Sequence, residues 1–200
     1  MIDIKKFISN FPNWLIASNE EPWAIVNNLD FIIEKQLESL NNDYILENGM
    51  AIHKTAVVEN GFVFKGKIII SENCFIGANA YLREPIFIDK SVKIEPSSEI
   101  KQSVILENSA IAHFNYIGNS IIGKNTNFEA GSVCANHYNE RQNKNIFVFY
   151  EGNIIVTKSI KFGALIGDNS KIGANAVLSP GTILEKNSIV KRLELIEQLK

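Results

Sequence analysis

His113 is the residue in this sequence best suited to chemistry, because an imidazole changes its charge near neutral pH. Two cationic residues, Arg83 and Lys101, are 18 residues apart, and Glu99 lies two positions before Lys101. An arginine and a lysine held one above the other would bind a phosphate or a carboxylate. These residue types indicate a site for an anionic small molecule beside a titratable ring.

The element that must position these side chains is a repeat. Aliphatic or aromatic residues, which we call anchors, recur every six positions. They are Ile52, Val58, Phe64, Ile70, Ile76, Leu82, Ile88, Ile94, Ile100 and Leu106, and again Ile160, Ile166, Ile172, Leu178, Leu184 and Val190. A fixed period of six is typical of a parallel β-helix. Each hexapeptide would form one side of a three-sided prism, so that 18 residues complete one coil and the anchors point inward.

This geometry places Arg83 and Lys101 on one face in adjacent coils. Glu99 and Lys101 flank the inward Ile100, so both should point outward. The six-residue period of the anchors, which we call the grid, is broken between Leu106 and Ile122. This break predicts an irregular corner that contains His113. Tandem hexapeptides resemble the left-handed parallel β-helix family, and that resemblance implies the hand. We therefore expect a mainly β fold.

The grid also divides the chain. Residues 1–49 lie outside it and show helix-like spacing after Pro22, which predicts a helical N-terminal appendage packed on the first coil. Residues 50–191 form the β-helix, interrupted by an inserted loop or hairpin at 137–159. Residues 192–200 have the composition of a short C-terminal helix.

Composition excludes several classes of protein. The net charge is −2 and no basic stripe is present, so a nucleic-acid partner is not expected. No apolar run has the length of a membrane span, and the N-terminus lacks a signal-peptide pattern, so we expect a cytoplasmic protein. Cys74 and Cys134 are interpreted as packed core thiols, and no metal is implied.

The stretch from His113 to Asn136 resembles one family closely. It reads HFNYIGNSIIGKNTNFEAGSVCAN, and upstream of it without a gap stand Lys101, Glu99 and Arg83. The resemblance is to the acetyltransferase domain of the bifunctional N-acetylglucosamine-1-phosphate uridyltransferase and its sugar-1-phosphate transferase relatives. It covers the β-helix, and the Pro22-Trp23 segment is similar to the linker before that domain.

The resemblance implies an acetyl-CoA-dependent N-acetyltransferase that acts on an amino-sugar phosphate such as glucosamine 1-phosphate, in the synthesis of nucleotide sugars and cell-envelope precursors. His113 would be the general base and Glu99 would assist it. The implied substrate-binding residues are Arg83, Lys101, Tyr116, Asn127 and Asn136, and the implied acetyl-CoA-binding residues are Ala130, Ala174 and Arg192. The family is a homotrimer with sites between subunits.

The sequence departs from the family in three ways and leaves two alternatives open. Glu129 occupies a position where the family commonly has glycine, and His137 one where tyrosine is usual. No nucleotide-binding loop precedes the β-helix, so uridyl transfer is not expected. A non-catalytic ligand-binding or trimerising module is the first alternative, favoured by Glu129. A metal hydrolyase is the second, and it would need His53, His113 and His137 to converge.

Overall fold

A computed structural model describes residues 2–16 and 20–199. Its α-helices are α1 (Ile4–Phe7), α2 (Pro22–Asn27) and α3 (Leu29–Glu38), with a 3₁₀ turn at Asn13–Leu15. Its strands are β1 (Tyr44–Glu47), β2 (Met50–His53), β3 (Val57–Val58), β4 (Val63–Lys65), β5 (Ile68–Ile70), β6 (Phe75–Ile76), β7 (Tyr81–Arg83), β8 (Ile86–Ile88), β9 (Lys93–Ile94), β10 (Glu99–Lys101), β11 (Val104–Ile105), β12 (Ala110–Ile111), β13 (Tyr116–Gly118), β14 (Ile121–Ile122), β15 (Asn127–Phe128), β16 (Val133–Cys134), β17 (Phe147–Tyr150), β18 (Asn153–Val156), β19 (Ala164–Ile166), β20 (Lys171–Ile172), β21 (Val177–Leu178), β22 (Thr182–Leu184), β23 (Ile189–Val190) and β24 (Leu195–Ile196).

Three parallel sheets form the sides of a prism, which confirms the predicted β-helix architecture. Sheet A has the order β1-β2-β5-β8-β11-β14-β19-β22, in which only the β1–β2 pair is antiparallel. Sheet B has the order β23-β20-β15-β12-β9-β6-β3, and sheet C has the order β24-β21-β16-β13-β10-β7-β4. The β17–β18 hairpin forms a separate antiparallel pair. Each coil therefore contributes one short strand to each side.

The interior of the prism is a stack of anchors. Ile70, Ile88, Ile105 and Ile122 are register partners along sheet A, and all four are fully buried. Branched aliphatic side chains suit such stacked strands because they pack well on a pleated surface. The two cysteines are buried in the same interior, as expected from the sequence.

The anchor grid differs from the prediction after Ile100. The next inward residue is Ile105, and Leu106 belongs to a different apolar cluster on the outer side of sheet A. Two coils are therefore 17 residues long, from Ile88 to Ile105 and from Ile105 to Ile122. Each loses its residue at the corner between sheets C and A. The corner that contains His113 is regular, so the expectation of an irregular corner there was wrong.

The outer face of sheet A is apolar, and this face explains the position of the N-terminal helices. Its outward residues are Ala51, Ile69, Phe87, Val104, Ile121, Leu165 and Ile183. The helices lie along this face rather than on the first coil alone: Trp14 packs edge-on against Phe87 with ring centroids 4.7 Å apart, and Trp23 packs against Phe162. Burying so wide an apolar face stabilises the coils from the side.

The ends of the chain differ from expectation in two ways. Residues 44–47 of the N-terminal segment form strand β1, which covers the edge of the first coil by pairing with β2. The predicted helix over 192–200 is absent from its described part, because Leu195 and Ile196 form β24 beside β21. Lys200 lies outside the described residues. The inserted segment packs as a hairpin on the outer face of sheet A, where Ile146 and Val148 are fully buried. Within the described chain, no helix has the length and apolar character needed to cross a bilayer.

Candidate active site

Sheet C carries the cationic side chains. Arg83 and Lys101 are register partners on β7 and β10, as the 18-residue spacing predicts. Glu99 Oε1 accepts a hydrogen bond of 2.6 Å from Arg83 Nε, and Ile100 between the two polar residues is fully buried. Glu99 and Lys101 therefore lie on the outer side of the strand, in one cluster with Arg83.

Lys101 is largely buried despite its charge. Its Nζ lies 3.2 Å from Glu84 Oε1, and the same oxygen lies 3.6 Å from an Arg83 guanidinium nitrogen. Burial lowers the pKa of Lys101, Glu84 opposes that shift, and the charges of Lys161 and Arg83 add to it. Two cations, Arg83 and Lys101, thus meet near the corner between sheets C and A, with one carboxylate between them.

Tyr116 and Asn136 complete the cluster on sheet C. Tyr116 is the register partner of Glu99, and its hydroxyl lies beside the Asn136 amide, next to Gly118. Burial, followed by the charge of Glu99, raises the pKa of this phenol. Gly118 leaves room for the pair, because a Cβ atom there would lie 2.7 Å from the Tyr116 hydroxyl and 2.9 Å from Asn136 Cγ.

A row of side-chain amides connects Asn136 to the N-terminal helices. Asn136 Nδ2 donates to Asn119 Oδ1 at 2.6 Å, and Asn119 Nδ2 donates to Gln102 Oε1 at 2.9 Å. Gln102 Nε2 in turn donates to the backbone carbonyl of Val26 at the end of helix α2. Glu84, Gln102 and Asn119 occupy the same corner in successive coils, and all three have positive φ. This corner, shortened at Gln102 and Asn119 and of full length at Glu84, therefore places polar side chains along the edge of the cluster.

His113 lies at the other edge of sheet C, at the corner with sheet B. Its side chain is exposed, and its ring packs against Phe114 with centroids 6.3 Å apart. The predicted acyl-donor residues stack on it in successive coils: Gly131 N donates to His113 O, Asn175 N donates to Ala130 O, and Leu193 N donates to Ala174 O. The row therefore contains His113, Ala130, Ala174 and Arg192.

Asn127 faces a different side of this corner. It lies on β15 in sheet B, and it lines an open cleft of about 510 Å³. The other lining residues are Glu129, Lys171, Ile172, Gly173, Ile189, Val190, Lys191 and Arg192. The candidate residues thus fall into three groups: the cluster on sheet C, the corner row, and Asn127 in the sheet B cleft. One copy of the chain does not enclose them in a single pocket.

Sequence reasoning missed Glu84, Lys161, Gln102 and Asn119. Glu84 directly follows Arg83 at a corner, and that position was the available signal. Lys161 follows Ile160, which the six-residue period predicts as an inward anchor but which is 58% exposed, so the spacing did not point to Lys161. Among the described residues, no group of three His, Cys, Asp or Glu side chains is placed to hold a metal ion. The convergence of histidines that a metal hydrolyase needs is therefore not found there.

The comparisons with known proteins agree with the fold. Residues 64–141 match the family model of the GMPPB C-terminal domain, and residues 163–191 match the hexapeptide repeat of succinyl-transferase. A bifunctional protein GlmU from Methanococcus maripaludis is 34% identical over 84% of this chain and 41% of its own length. A bifunctional sugar-1-phosphate nucleotidylyltransferase/acetyltransferase from Sulfurisphaera tokodaii is 32% identical over 70% of this chain and 39% of its own.

The chain spans about two fifths of the length of these relatives. A solved hexapeptide transferase family protein from Anaplasma phagocytophilum aligns over 73% of this chain and 72% of its own, with 18% identity and a TM-score of 0.33. The repeat, the family models and the full-length relatives together identify the chain as a hexapeptide-repeat protein that resembles the bifunctional sugar-1-phosphate nucleotidylyltransferase/acetyltransferases.

Proposed function

We propose that this chain is an N-acetyltransferase that transfers the acetyl group of acetyl-CoA to the amino group of an amino-sugar phosphate such as glucosamine 1-phosphate. One observation carries the proposal: Arg83 and Lys101 are register partners on sheet C, in one cluster with Tyr116 and Asn136. Cations of this kind bind a phosphate, and the hydroxyl and amide beside them are suited to a sugar.

The chemistry follows from these groups. The acceptor amine attacks the thioester carbonyl, and His113 removes the amine proton as the new C–N bond forms. The C–S bond then breaks, and the proton passes from His113 to the departing thiolate of CoA. Glu99 assists at the amine or the imidazole. The backbone N–H of Ala130 stabilises the negative charge that develops on the carbonyl oxygen. Ala174 and Arg192 hold the donor further along the corner row.

The site needs a second copy of the chain, so we include a homotrimer in the proposal. The outer face of sheet A is already covered by the chain's own helices and hairpin. The outer faces of sheets B and C carry exposed apolar side chains, among them the register partners Val177 and Leu195, and Ile189 on β23. Packing a neighbour at the corner between these faces would bring Asn127, His113 and the cationic cluster around one acceptor.

The decisive experiment measures thiol release from acetyl-CoA with glucosamine 1-phosphate and galactosamine 1-phosphate as acceptors. We expect His113→Ala to lower kcat by about 10²- to 10⁴-fold, the usual contribution of a general base. His53→Ala is the matched control: His53 lies in the first coil, where it is hydrogen-bonded to Thr55, and its loss should leave kcat unchanged. Turnover that survives His113→Ala would refute its role as the base.

A non-catalytic binding module is the second candidate, because Glu129 bonds to both Ala174 and Arg192 at the proposed donor site. A folded trimer that binds CoA but releases no thiol with any acceptor would favour this candidate over the transferase.

A further inference from the structure

The backbone N–H groups of the corner row differ in whether they already donate a hydrogen bond. Within the described chain, the N–H groups of His113, Ala130 and Arg192 make no hydrogen bond, while Ala174 N donates to Glu129 Oε2 at 2.9 Å. Neighbouring coils are about 4.8 Å apart, so Ala130 and Ala174 present their amides one above the other. If a ligand ran along this corner with its carbonyl groups facing the row, the N–H of Ala130 could donate a hydrogen bond to it. The N–H of Ala174 could not, because it already donates to Glu129.

The same carboxylate also neutralises Arg192. Arg192 Nε lies 2.7 Å from Glu129 Oε2, and its Nη2 lies 2.9 Å from Oε1, which is a bidentate pair. These hydrogen bonds, led by the one from Arg192, lower the pKa of Glu129 to about 2, so the carboxylate is charged at any physiological pH. One side chain therefore occupies both an amide donor and a cation in the proposed donor site.

A similar contact elsewhere in the β-helix shows which of the Glu129 contacts is structural. Glu59 holds the equivalent corner position in an early coil, and its Oε2 accepts a hydrogen bond of 2.7 Å from Ala78 N. A glutamate at this position can thus join two coils outside the proposed donor site. Among the described residues, no arginine is bonded to Glu59. The clamp on Arg192, together with the cleft lined by Glu129 and Arg192, distinguishes the later contact.

We propose that Glu129 is an internal competitor of the acyl donor: its carboxylate occupies the Ala174 amide and Arg192, and it must leave both before acyl-CoA can bind along the corner row. This inference rests on the proposed function. A carbonyl of the donor then takes the place of Glu129 Oε2 on the Ala174 amide, and the freed Arg192 pairs with an anionic group of CoA. Glu129 in this way sets the affinity for the donor without touching the reacting atoms.

The test is calorimetric titration of the folded oligomer with CoA and with acetyl-CoA. We expect Glu129→Ala to lower the Kd by about three- to tenfold, because an exposed ion pair and one amide hydrogen bond no longer need to be broken. Glu129→Gln should give a smaller decrease, since its amide oxygen still accepts from Ala174 N. Glu59→Ala is the matched control and should leave the Kd unchanged, although it removes the equivalent bond between coils.

The outcomes separate this inference from the function on which it rests. If wild type binds CoA and Glu129→Ala binds it equally or more weakly, the competitor role is wrong while the transferase proposal stands. If no variant binds CoA and none releases thiol, both fail. If Glu59→Ala lowered the Kd as well, the decrease would come from a general loosening of the coils, and the competitor role would be wrong. The KM for the acceptor should not move with Glu129→Ala, and a parallel change in it would also contradict the inference.

Discussion

Lys101 and Arg83 stand in register on neighbouring strands, and a single carboxylate oxygen of Glu84 lies within 4 Å of a nitrogen on each. An internal anion therefore occupies the place where we propose that the phosphate of the acceptor binds. Two opposite effects of substitution follow for the proposed acceptor site.

Removing the Lys101 charge should weaken acceptor binding. We expect Lys101→Met to raise the KM for glucosamine 1-phosphate by roughly ten- to hundredfold, because a hydrogen bond between charged groups is lost. The Kd for CoA should not change, since Lys101 lies at the opposite edge of sheet C from the corner row. Lys54→Met, at an exposed lysine near the first coil, serves as the control. An unchanged KM in Lys101→Met would place the phosphate elsewhere.

Removing the internal anion should have the reverse effect. We expect Glu84→Gln to lower the KM for a phosphorylated acceptor by about two- to fivefold, the range of a partly exposed ion pair. Glutamine keeps the length of the side chain at this left-handed corner. The effect should disappear with an unphosphorylated amino sugar, and an equal effect on both acceptors would show that Glu84 does not compete with phosphate.

Gly118 should not tolerate a side chain. Gly118→Ala would push a methyl group against Tyr116 and Asn136, at an expected cost of about 1–3 kcal/mol and a Tm lower by roughly 3–10 °C. We expect the KM for the acceptor to rise as well, because both displaced residues belong to the sheet C cluster. Gly152→Ala is the comparison: it strains the hairpin turn, where φ is +76° and open space surrounds the site. It should lower Tm without changing the KM for the acceptor. If Gly118→Ala also lowered Tm and left this KM unchanged, the cluster would not be the acceptor site.

Both thiols should be inert in the folded protein. Burial raises the pKa of Cys74 to about 12 and raises that of Cys134 as well, so neither forms a thiolate near neutral pH. A chromogenic disulfide reagent at pH 8 should therefore detect no thiol before denaturation and two per chain in guanidinium chloride. Rapid reaction of one thiol in the native protein would contradict the buried positions.

Asp89 should make stability depend on pH. Burial raises the pKa of Asp89 above its ordinary value, with the charge of Glu107 adding to the shift. Between the unfolded and the raised folded pKa, the folded state binds more protons, so stability falls as pH rises through that window and the loss persists at neutral pH. We expect Asp89→Asn to raise Tm at pH 7 by roughly 1–3 °C. At a pH below 3.8 the gain should vanish, and a gain independent of pH would have another cause.

Much of the fold follows from the six-residue period, and its failures have local causes. Ile105 and Leu106 are adjacent aliphatic residues, so the sequence does not show that the corner after Lys101 has lost one residue. The predicted C-terminal helix was wrong for a different reason. Helix-favouring composition outweighed the period, although Ile196 lies six residues after Val190 and continues the grid.

Part of the candidate site could also be predicted from the repeat period. Register along one face follows from an 18-residue spacing, so the pairing of Arg83 with Lys101 was predictable. The contacts of Glu84 depend on the direction of its side chain at a corner, and the position of Lys161 depends on where the inserted segment returns to the β-helix; the six-residue period encodes neither. The enclosure by a second subunit that we propose is likewise absent from the pattern of one chain.

The two shortened coils and the inserted hairpin all depart at the corner between sheets C and A. At the other two corners, successive inward anchors stay six residues apart in every described coil. Length can therefore change at this corner without turning any anchor outward. For protein engineering, this makes the exposed turn at Gly152 of the inserted hairpin a suitable place to graft a foreign peptide. A one-residue insertion at either of the other corners would instead reverse the inside and outside of every strand that follows within its coil.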